Sequence, residues 1–300
     1  MADNLALQTS LPAALSAAPA RSRGYWATVG RRIRRDPVTM ICGTVLVLII
    51  GGSLAAPLIA PTDPYKTSML HRLAAVGTHG YLLGSDELGR DMLTRLLYGG
   101  RLSLLLGLSP VAGALLVGGG LGILAGYLGG KVNTAIMRLM DVFYAFPSVL
   151  LAIALSGALG AGIFNSLLAL TIVFVPPVCR VSESVTTQVR GFDFVDVARA
   201  SGARVFSVLR THILRNVLGP IFIYATSLIS VSIILASGLS FLGLGVKPPE
   251  PEWGLMLNTL RQAIYVNPML AALPGVMIFA TSICFNLMSD GLRAAMDVRQ

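Results

Sequence analysis

The sequence has little charge and long stretches without any. Only 12% of its 300 residues are Asp, Glu, Lys or Arg, against about 25% in soluble proteins, and 54% are hydrophobic. Lys and Arg outnumber Asp and Glu by 23 to 14, and the arginines cluster beside the apolar runs. This composition is typical of a protein embedded in a lipid bilayer. The clustering favours a role in membrane topology over nucleic-acid binding.

Cysteine is also scarce. Cys42, Cys179 and Cys284 each fall inside an apolar run, so we expect small buried side chains. Their spacing predicts neither a disulfide nor a metal site, and the chain has no His-Glu-x-x-His or Cys-x-x-Cys motif.

The sequence lacks a nucleotide-binding P-loop. That motif needs Gly-x4-Gly-Lys followed by Ser or Thr. Only Lys131 follows a glycine, but Ala125 stands where the first glycine is needed and Val132 replaces the hydroxyl residue. The apolar runs also lack the buried carboxylates that mark a proton relay. The sequence therefore predicts a non-catalytic chain whose energy source is a separate subunit.

The apolar runs predict an all-α membrane protein with six transmembrane helices, because about 20 residues cross the hydrocarbon. One run is too long for a single span, and its central Gly157–Gly162 stretch predicts a hairpin. The predicted helices lie at about 38–60, 102–128, 136–158, 163–184, 217–243 and 269–290.

Charge sets the orientation. If the N-terminus is cytoplasmic, the inner segments hold most of the 23 Lys and Arg, as the positive-inside rule requires. Both termini are then cytoplasmic. Residues 1 to about 30 have no periodicity and are expected to be disordered. The predicted divisions are a cytoplasmic basic tail (1–37), the first transmembrane helix (38–60), an extracytoplasmic segment with an amphipathic helix (61–100), a core of five transmembrane helices (101–290) and a cytoplasmic C-terminus (291–300).

A basic loop at about 190–216 separates two of these spans. Its apolar residues Val205, Leu209 and Ile213 recur at four-residue steps, which indicates a helix. The arginines of the loop are Arg190, Arg199, Arg204, Arg210 and Arg215. We expect this loop on the cytoplasmic side.

Three features inside the spans predict how the helices pack. Gly118, Gly122 and Gly126 recur every four residues, so another backbone can approach that stripe closely. Arg138 and Asp141, three residues apart, are expected to pair. Prolines are expected to bend the spans that contain them, and these are Pro147, Pro176, Pro177 and Pro274.

The 190–216 loop resembles the Glu-Ala-Ala loop of bacterial ABC-importer permeases. The matching residues are Asp196, Val197, Ala198, Gly202, Ile213 and Leu214. The resemblance implies that they couple the chain to an ATPase subunit. Asp196 keeps the charge of the usual Glu on a shorter side chain. Arg215 replaces the usual Pro, which allows the second helix of the loop to continue.

Three further segments are similar to motifs of the dipeptide, oligopeptide and nickel branch of these permeases. They are Gly84–Asp91, Ser240–Gly254 and Phe285–Arg293, the last with Ser289 where the family has Gly. From the residues alone, Ser85 or Asp86 is expected to cap the following helix. Trp253 is expected at the bilayer interface.

The resemblance implies a type I ABC importer permease fold in the bacterial cytoplasmic (inner) membrane. It also implies the permease subunit of an ATP-driven, solute-binding-protein-dependent importer for di- or oligopeptides or a related small solute. The implied partners are a second homologous permease, two ABC ATPase subunits, an extracytoplasmic solute-binding protein and the lipid bilayer, with no nucleic acid. The chain is expected to bind no cofactor or metal, with ATP and Mg on the ATPase subunits.

Two other functions fit the composition. One is an ion-coupled secondary carrier, which predicts inverted repeats and broken helices at the midplane. The other is a membrane scaffold without transport activity, whose basic loop holds a cytosolic partner or lies on anionic lipid.

Overall fold

The computed structural model describes residues 25–296, which are almost entirely helical. The helices are α1 (Tyr25–Arg35), α2 (Pro37–Leu54), α3 (Ala56–Ile59), α4 (Met92–Leu128), α5 (Gly130–Tyr144), α6 (Ser148–Leu159), α7 (Ile163–Arg190), α8 (Asp193–Ala200), α9 (Val205–Val208), α10 (Leu214–Phe241), α11 (Trp253–Thr259) and α12 (Pro268–Met296). A π-helical turn, Leu209–Ile213, joins α9 to α10. Within this range the only β pairing is an isolated bridge between Ser85 and Asp91.

Within residues 25–296, five helices are long and apolar enough to cross a membrane. They are α2, α4, α7, the continuous run Val205–Phe241, and α12. The bent pair α5–α6 makes a sixth candidate. The hairpin predicted at Gly157–Gly162 is confirmed, since α6 ends at Leu159 and α7 begins at Ile163.

The third predicted span is not one straight helix. The chain breaks between Tyr144 and Ser148, and the axes of α5 and α6 differ by 86°. Pro147 stands in this break, where its missing N–H and fixed φ stop the α5 ladder. The helices α7 and α12, by contrast, run through Pro176, Pro177 and Pro274 without interruption.

α4 begins ten residues before the predicted span, at Met92. Two arginines made this stretch look like a polar segment, but both have partners inside the fold. Arg101 donates to the carbonyls of Ser53 (2.7 Å) and Leu54 (2.6 Å) and so satisfies the end of α2. Arg95 is buried against Asp86.

The N-terminal prediction is partly wrong. Tyr25–Arg35 forms α1, which packs on α12, whereas the sequence predicted disorder to about residue 30. The rest of that prediction, residues 1–24, lies outside the described residues. After α1, Asp36 caps α2 by accepting hydrogen bonds from the backbone N–H groups of Val38 and Thr39. The hydrogen bond from the Thr39 hydroxyl lowers the pKa of the Asp36 carboxyl.

α4 lies at the centre of the bundle and packs along α7. Its glycine stripe faces the α7 backbone. A Cβ at Gly118 would lie 2.5 Å from the carbonyl oxygen of Val175, and one at Gly126 would lie 2.7 Å from that of Glu183. Gly122 faces the Cys179 carbonyl in the same way. The two backbones are close enough that any side chain at these positions would force them apart.

α10 packs on α4 and α12. Ser289 of α12 replaces the glycine of the similar family motif, and its hydroxyl donates to the Ile223 carbonyl of α10 at 3.2 Å. Two residues later, a Cβ at Gly291 would lie 3.2 Å from the Asp36 carboxylate. The C-terminal motif therefore joins α12 both to α10 and to the start of α2.

Candidate functional site

The 190–216 loop leaves the end of α7 and forms α8, Asp193–Ala200. Asp193 and Asp196 lie in its first turn, where negative charge interacts favourably with the helix dipole. The helix ends in a tight turn. Gly202 takes a left-handed φ of +77°, and its N–H donates to the Arg199 carbonyl at 3.0 Å. Glycine reaches this conformation without the steric cost that other residues meet.

One face of the loop is anchored in the bundle. Val195 of α8 is fully buried in a cluster with Val208, Ile213 and Val217. This cluster extends to Tyr127 of α4. The Arg199 guanidinium lies 5.3 Å from the centre of the Tyr127 ring. Through Val195 and Arg199, α8 therefore contacts the cluster that α4 and α10 share.

The opposite face of the loop is exposed and apolar. Phe206 has 71% of its surface exposed and Val197 has 63%. The other exposed apolar residues of this surface are Phe192, Phe194 and Val205. Arg204 and Arg210 of the same loop are also exposed. Exposed apolar side chains concentrated in one loop are typical of a surface that meets another protein.

The structure divides the six predicted coupling residues into two groups. Asp196, Val197 and Gly202 lie on the exposed face, and Ala198 is half-buried beside them. Ile213 is fully buried and Leu214 is half-buried, at the junction of the π turn with α10. The first group is therefore accessible at the surface, and the second belongs to the packing at the start of α10.

The second part of the loop is continuous with a transmembrane helix. α9, the π turn and α10 form one helical run from Val205 to Phe241. Arg215 lies inside α10, where a proline would have removed a helical N–H. α9 is therefore continuous with α10, whereas α8 is separated from both by the turn at Gly202.

A second polar cluster lies in the segment that precedes α4. Asp86 is buried and accepts from Arg90 Nε at 2.6 Å, and its Oδ2 lies 3.2 Å from Arg95 Nε. The sequence predicted that Ser85 or Asp86 caps α4, and this prediction is wrong. Asp91 caps α4 instead, by accepting from the Thr94 N–H at 2.7 Å.

The segment before α11 contains a buried carboxylate with several hydrogen-bond donors, which the sequence did not predict. Glu252 is fully buried and accepts from the Gly254 and Leu255 N–H groups and from the Ser103 hydroxyl. Burial raises the pKa of the Glu252 carboxyl. The only sequence signal was its place before Trp253 as a helix cap.

Trp253 is fully buried inside the fold, and its level at the bilayer interface stays a prediction from the sequence. Its indole N–H donates to the Leu96 carbonyl of α4 at 2.9 Å, and its backbone N–H donates to Ser103 Oγ at 3.1 Å. Close approach to Gly99 and Gly100 accommodates the ring. Together Glu252 and Trp253 fasten α11 to α4.

Two sets of polar contacts join α5 to α7. Arg138 Nη1 is 4.0 Å from Asp141 Oδ2, as predicted, but Asp141 also accepts a hydrogen bond from Arg180 of α7. Glu183 is half-buried within α7 and accepts from the Asn133 side-chain amide at 2.5 Å. The sequence predicted spans without buried carboxylates, because Glu183 stood at the end of the predicted span 163–184. In the structure α7 continues to Arg190, so Glu183 lies within the helix.

Within residues 25–296 no group of three or more His, Cys, Asp or Glu side chains is arranged to hold a metal ion. The three cysteines are buried and free.

Comparison with known families gives two matches. Residues 118–300 match the family described as binding-protein-dependent transport system inner membrane component. Residues 24–75 match the N-terminal transmembrane domain of oligopeptide transport permease C.

Individual relatives cover nearly the whole chain. A glutathione transport system permease protein, GsiD of Pectobacterium atrosepticum, is 38% identical over 92% of this chain and 91% of its own length. A di/tripeptide transport system permease protein, DppC of Pseudomonas aeruginosa, is 41% identical over 84% of this chain and 85% of its own.

A solved structure shares the fold. An inward-facing conformation of the MetNI methionine ABC transporter aligns with a TM-score of 0.56 and 16% sequence identity. The alignment covers 68% of this chain and 97% of that one. At this identity the likeness concerns the fold alone.

Proposed function

Because this chain belongs to the binding-protein-dependent transport system inner membrane components, we propose that it is the permease subunit of an importer for small peptides. The family assignment makes it a translocation subunit in the inner membrane. The cargo class rests on the relatives, which are permease proteins of glutathione and di/tripeptide transport systems. The match to an oligopeptide permease domain at the N-terminus supports the same cargo.

The exposed apolar face of the 190–216 loop is the observation that supports the coupling role. Val197 and Phe206 project from a loop whose other side, at Val195 and Ile213, is fully buried. A partner that seats the exposed face gains the burial of apolar surface, at about 25 cal/mol per Å². The same partner can move α10 as a rigid body, because α9, the π turn and α10 are continuous.

The proposed assembly contains four kinds of subunit. A second homologous permease completes the pathway, two ABC ATPase subunits dock on the two permeases from the cytoplasm, and an extracytoplasmic solute-binding protein delivers the peptide. ATP and Mg bind to the ATPase subunits. ATP-driven closure of these subunits displaces the 190–216 loop and exchanges inward for outward access.

Reconstitution tests this function. Proteoliposomes are prepared with this chain, its second permease and its ATPase subunits, and are supplied with binding protein and a labelled dipeptide. They should accumulate the dipeptide when ATP is present on the side of the membrane where the ATPase subunits lie. Leaving out the ATPase subunits should abolish accumulation. Uphill uptake by this chain alone, driven by an ion gradient, would show that it is a secondary carrier.

A further inference from the structure

The elbow between α5 and α6 combines a cavity with an uneven set of charges. Asp141 lies between Arg180, which donates a hydrogen bond to it, and Arg138 at 4.0 Å. The nearby carboxylate of Glu183 accepts hydrogen bonds from Asn133 and Thr187 instead. The side chains of Asp141 and Arg180 are each 44% exposed, and that of Arg138 is 81% exposed. Two guanidinium groups share one carboxylate, so the cluster keeps one surplus positive charge.

The cluster lies near the inner border of the hydrocarbon. From Ile163 to Cys179, α7 carries no charged side chain, and this stretch rises about 25 Å at 1.5 Å per residue. Arg180 is the first charge below it. Exposed charges at this depth are costly against lipid, so this face of the elbow borders water or protein.

An aromatic cavity of about 290 Å³ adjoins the charges. Its lining includes Phe143, Tyr144, Phe146, Phe174, Pro176 and Pro177. Tyr144 belongs to both parts of the elbow, because the Arg180 guanidinium lies 4.4 Å from the centre of its ring. This contact places the Arg180 guanidinium beside the cavity, against one of its lining residues.

We propose that this elbow binds the C-terminal end of the peptide cargo on its path through the membrane. The surplus positive charge of Arg138 and Arg180 recognises the peptide's α-carboxylate, since guanidinium groups pair with carboxylates in a two-pronged geometry. The cavity takes the apolar side chain of the last residue, and its volume is near the lower limit of small-molecule pockets. The proposal rests on the function proposed above.

Protection of a cysteine in the cavity tests the site without any need for transport. Ser148 lines the cavity, and the native cysteines are all buried. The transport complex that contains the Ser148→Cys variant of this chain is purified and placed in phosphatidylcholine nanodiscs without ATP or binding protein. The rate at which a maleimide labels the introduced cysteine is then measured. Alanyl-phenylalanine should slow the labelling, whereas its C-terminal amide should not.

Charge variants give opposite results. In the Ser148→Cys background, Arg180→Gln should raise the half-protecting peptide concentration about tenfold or more, the usual effect of losing a hydrogen bond to a charged group. Asp141→Asn frees both guanidinium groups and should lower that concentration, a gain that a misfolded chain cannot give. Lys131→Gln removes a positive charge from the same helix, away from the elbow, and should change nothing.

Three outcomes would overturn the site: no protection by the peptide, equal protection by the amide, or protection by added phosphatidylglycerol instead of peptide. The last would assign the arginines to a lipid headgroup. The two proposals fail separately. Protection without ATP-driven uptake would reject the importer function and keep the site, and uptake without protection would reject the site alone.

Discussion

At the scale of single residues, glycines without side chains determine how closely the central helices α4 and α7 approach each other. The positions at Gly118, Gly122 and Gly126 lie against carbonyl groups of α7, which cannot move aside as a flexible side chain can. Overpacking of such contacts costs about 1–3 kcal/mol. The α4–α7 contact is therefore sensitive to the addition of even one methyl group.

We expect Gly122→Ala to lower the thermal stability of the purified full-length chain in detergent, by an amount that corresponds to about 1–3 kcal/mol. A Cβ there would lie 2.6 Å from Ser182 Cβ and 2.9 Å from the Glu183 N atom. Gly120→Ala is the matched control, because a Cβ at Gly120 meets nothing within 4 Å. Equal melting temperatures for the two variants would contradict the account.

Residue-level pairings also explain why polar groups can lie inside this apolar chain. Glu252 has three hydrogen-bond donors, and Arg95 has Asp86 and the Pro64 carbonyl. Each pairing offsets the cost of removing the group from water. Some of these partners are far away in the sequence: Ser103 is 149 residues from Glu252, and Pro64 is 31 residues from Arg95.

At the scale of elements, the coupling role that we propose for the 190–216 loop depends on the turn that ends α8. The turn after α8 requires the left-handed φ of Gly202, +77°. Steric crowding is not the reason for a glycine here, because a Cβ at this position would meet no atom within 4 Å. Another residue pays about 1–2 kcal/mol for that conformation. The cost falls on the turn between α8 and α9 and leaves the transmembrane packing untouched.

We expect Gly202→Ala to reduce ATP-driven uptake about fivefold or more, since 1–2 kcal/mol changes a population by a factor of about 5–30. The amount of chain in the membrane should stay the same. Gly191→Ala is the control at the other end of α8, because Gly191 has a φ of −81° that alanine adopts freely. Normal uptake by the Gly202→Ala transporter would remove the rigid turn from the coupling mechanism.

At the scale of the whole molecule, orientation follows from charge, and we propose that both termini and the 190–216 loop face the cytoplasm. The segments before α4 and around α11 then lie outside, where a binding protein delivers cargo. The distribution of Lys and Arg supports this arrangement.

Cysteine labelling in intact cells checks the orientation. A membrane-impermeant maleimide should label Thr67→Cys, which lies in the exposed segment before α4, and should not label Ser207→Cys in the exposed loop. Both should react once the cells are lysed, when the chain is expressed without the ATPase subunits that we propose to cover this loop. The parent chain serves as the control, because its three cysteines are buried. Labelling in the reverse order would invert the proposed topology.

The sequence by itself determined the features that depend on neighbouring residues. Hydrophobic length gave the spans, glycine and proline gave the hairpin at 157–162 and the break at Pro147, and charge gave the expected orientation. The recurrence of Gly118, Gly122 and Gly126 indicated a close helix contact. These signals are local, because a helix and its ends are specified within a few turns of chain.

Only the tertiary structure decided which distant groups meet. It showed that α4 begins at Met92, because Arg95 and Arg101 find partners elsewhere in the fold. It buried Trp253 against α4 and joined Asp141 to Arg180 across the elbow. Sequence periodicity reports which face of a helix is apolar, but the partner of a polar side chain depends on the packing of whole helices.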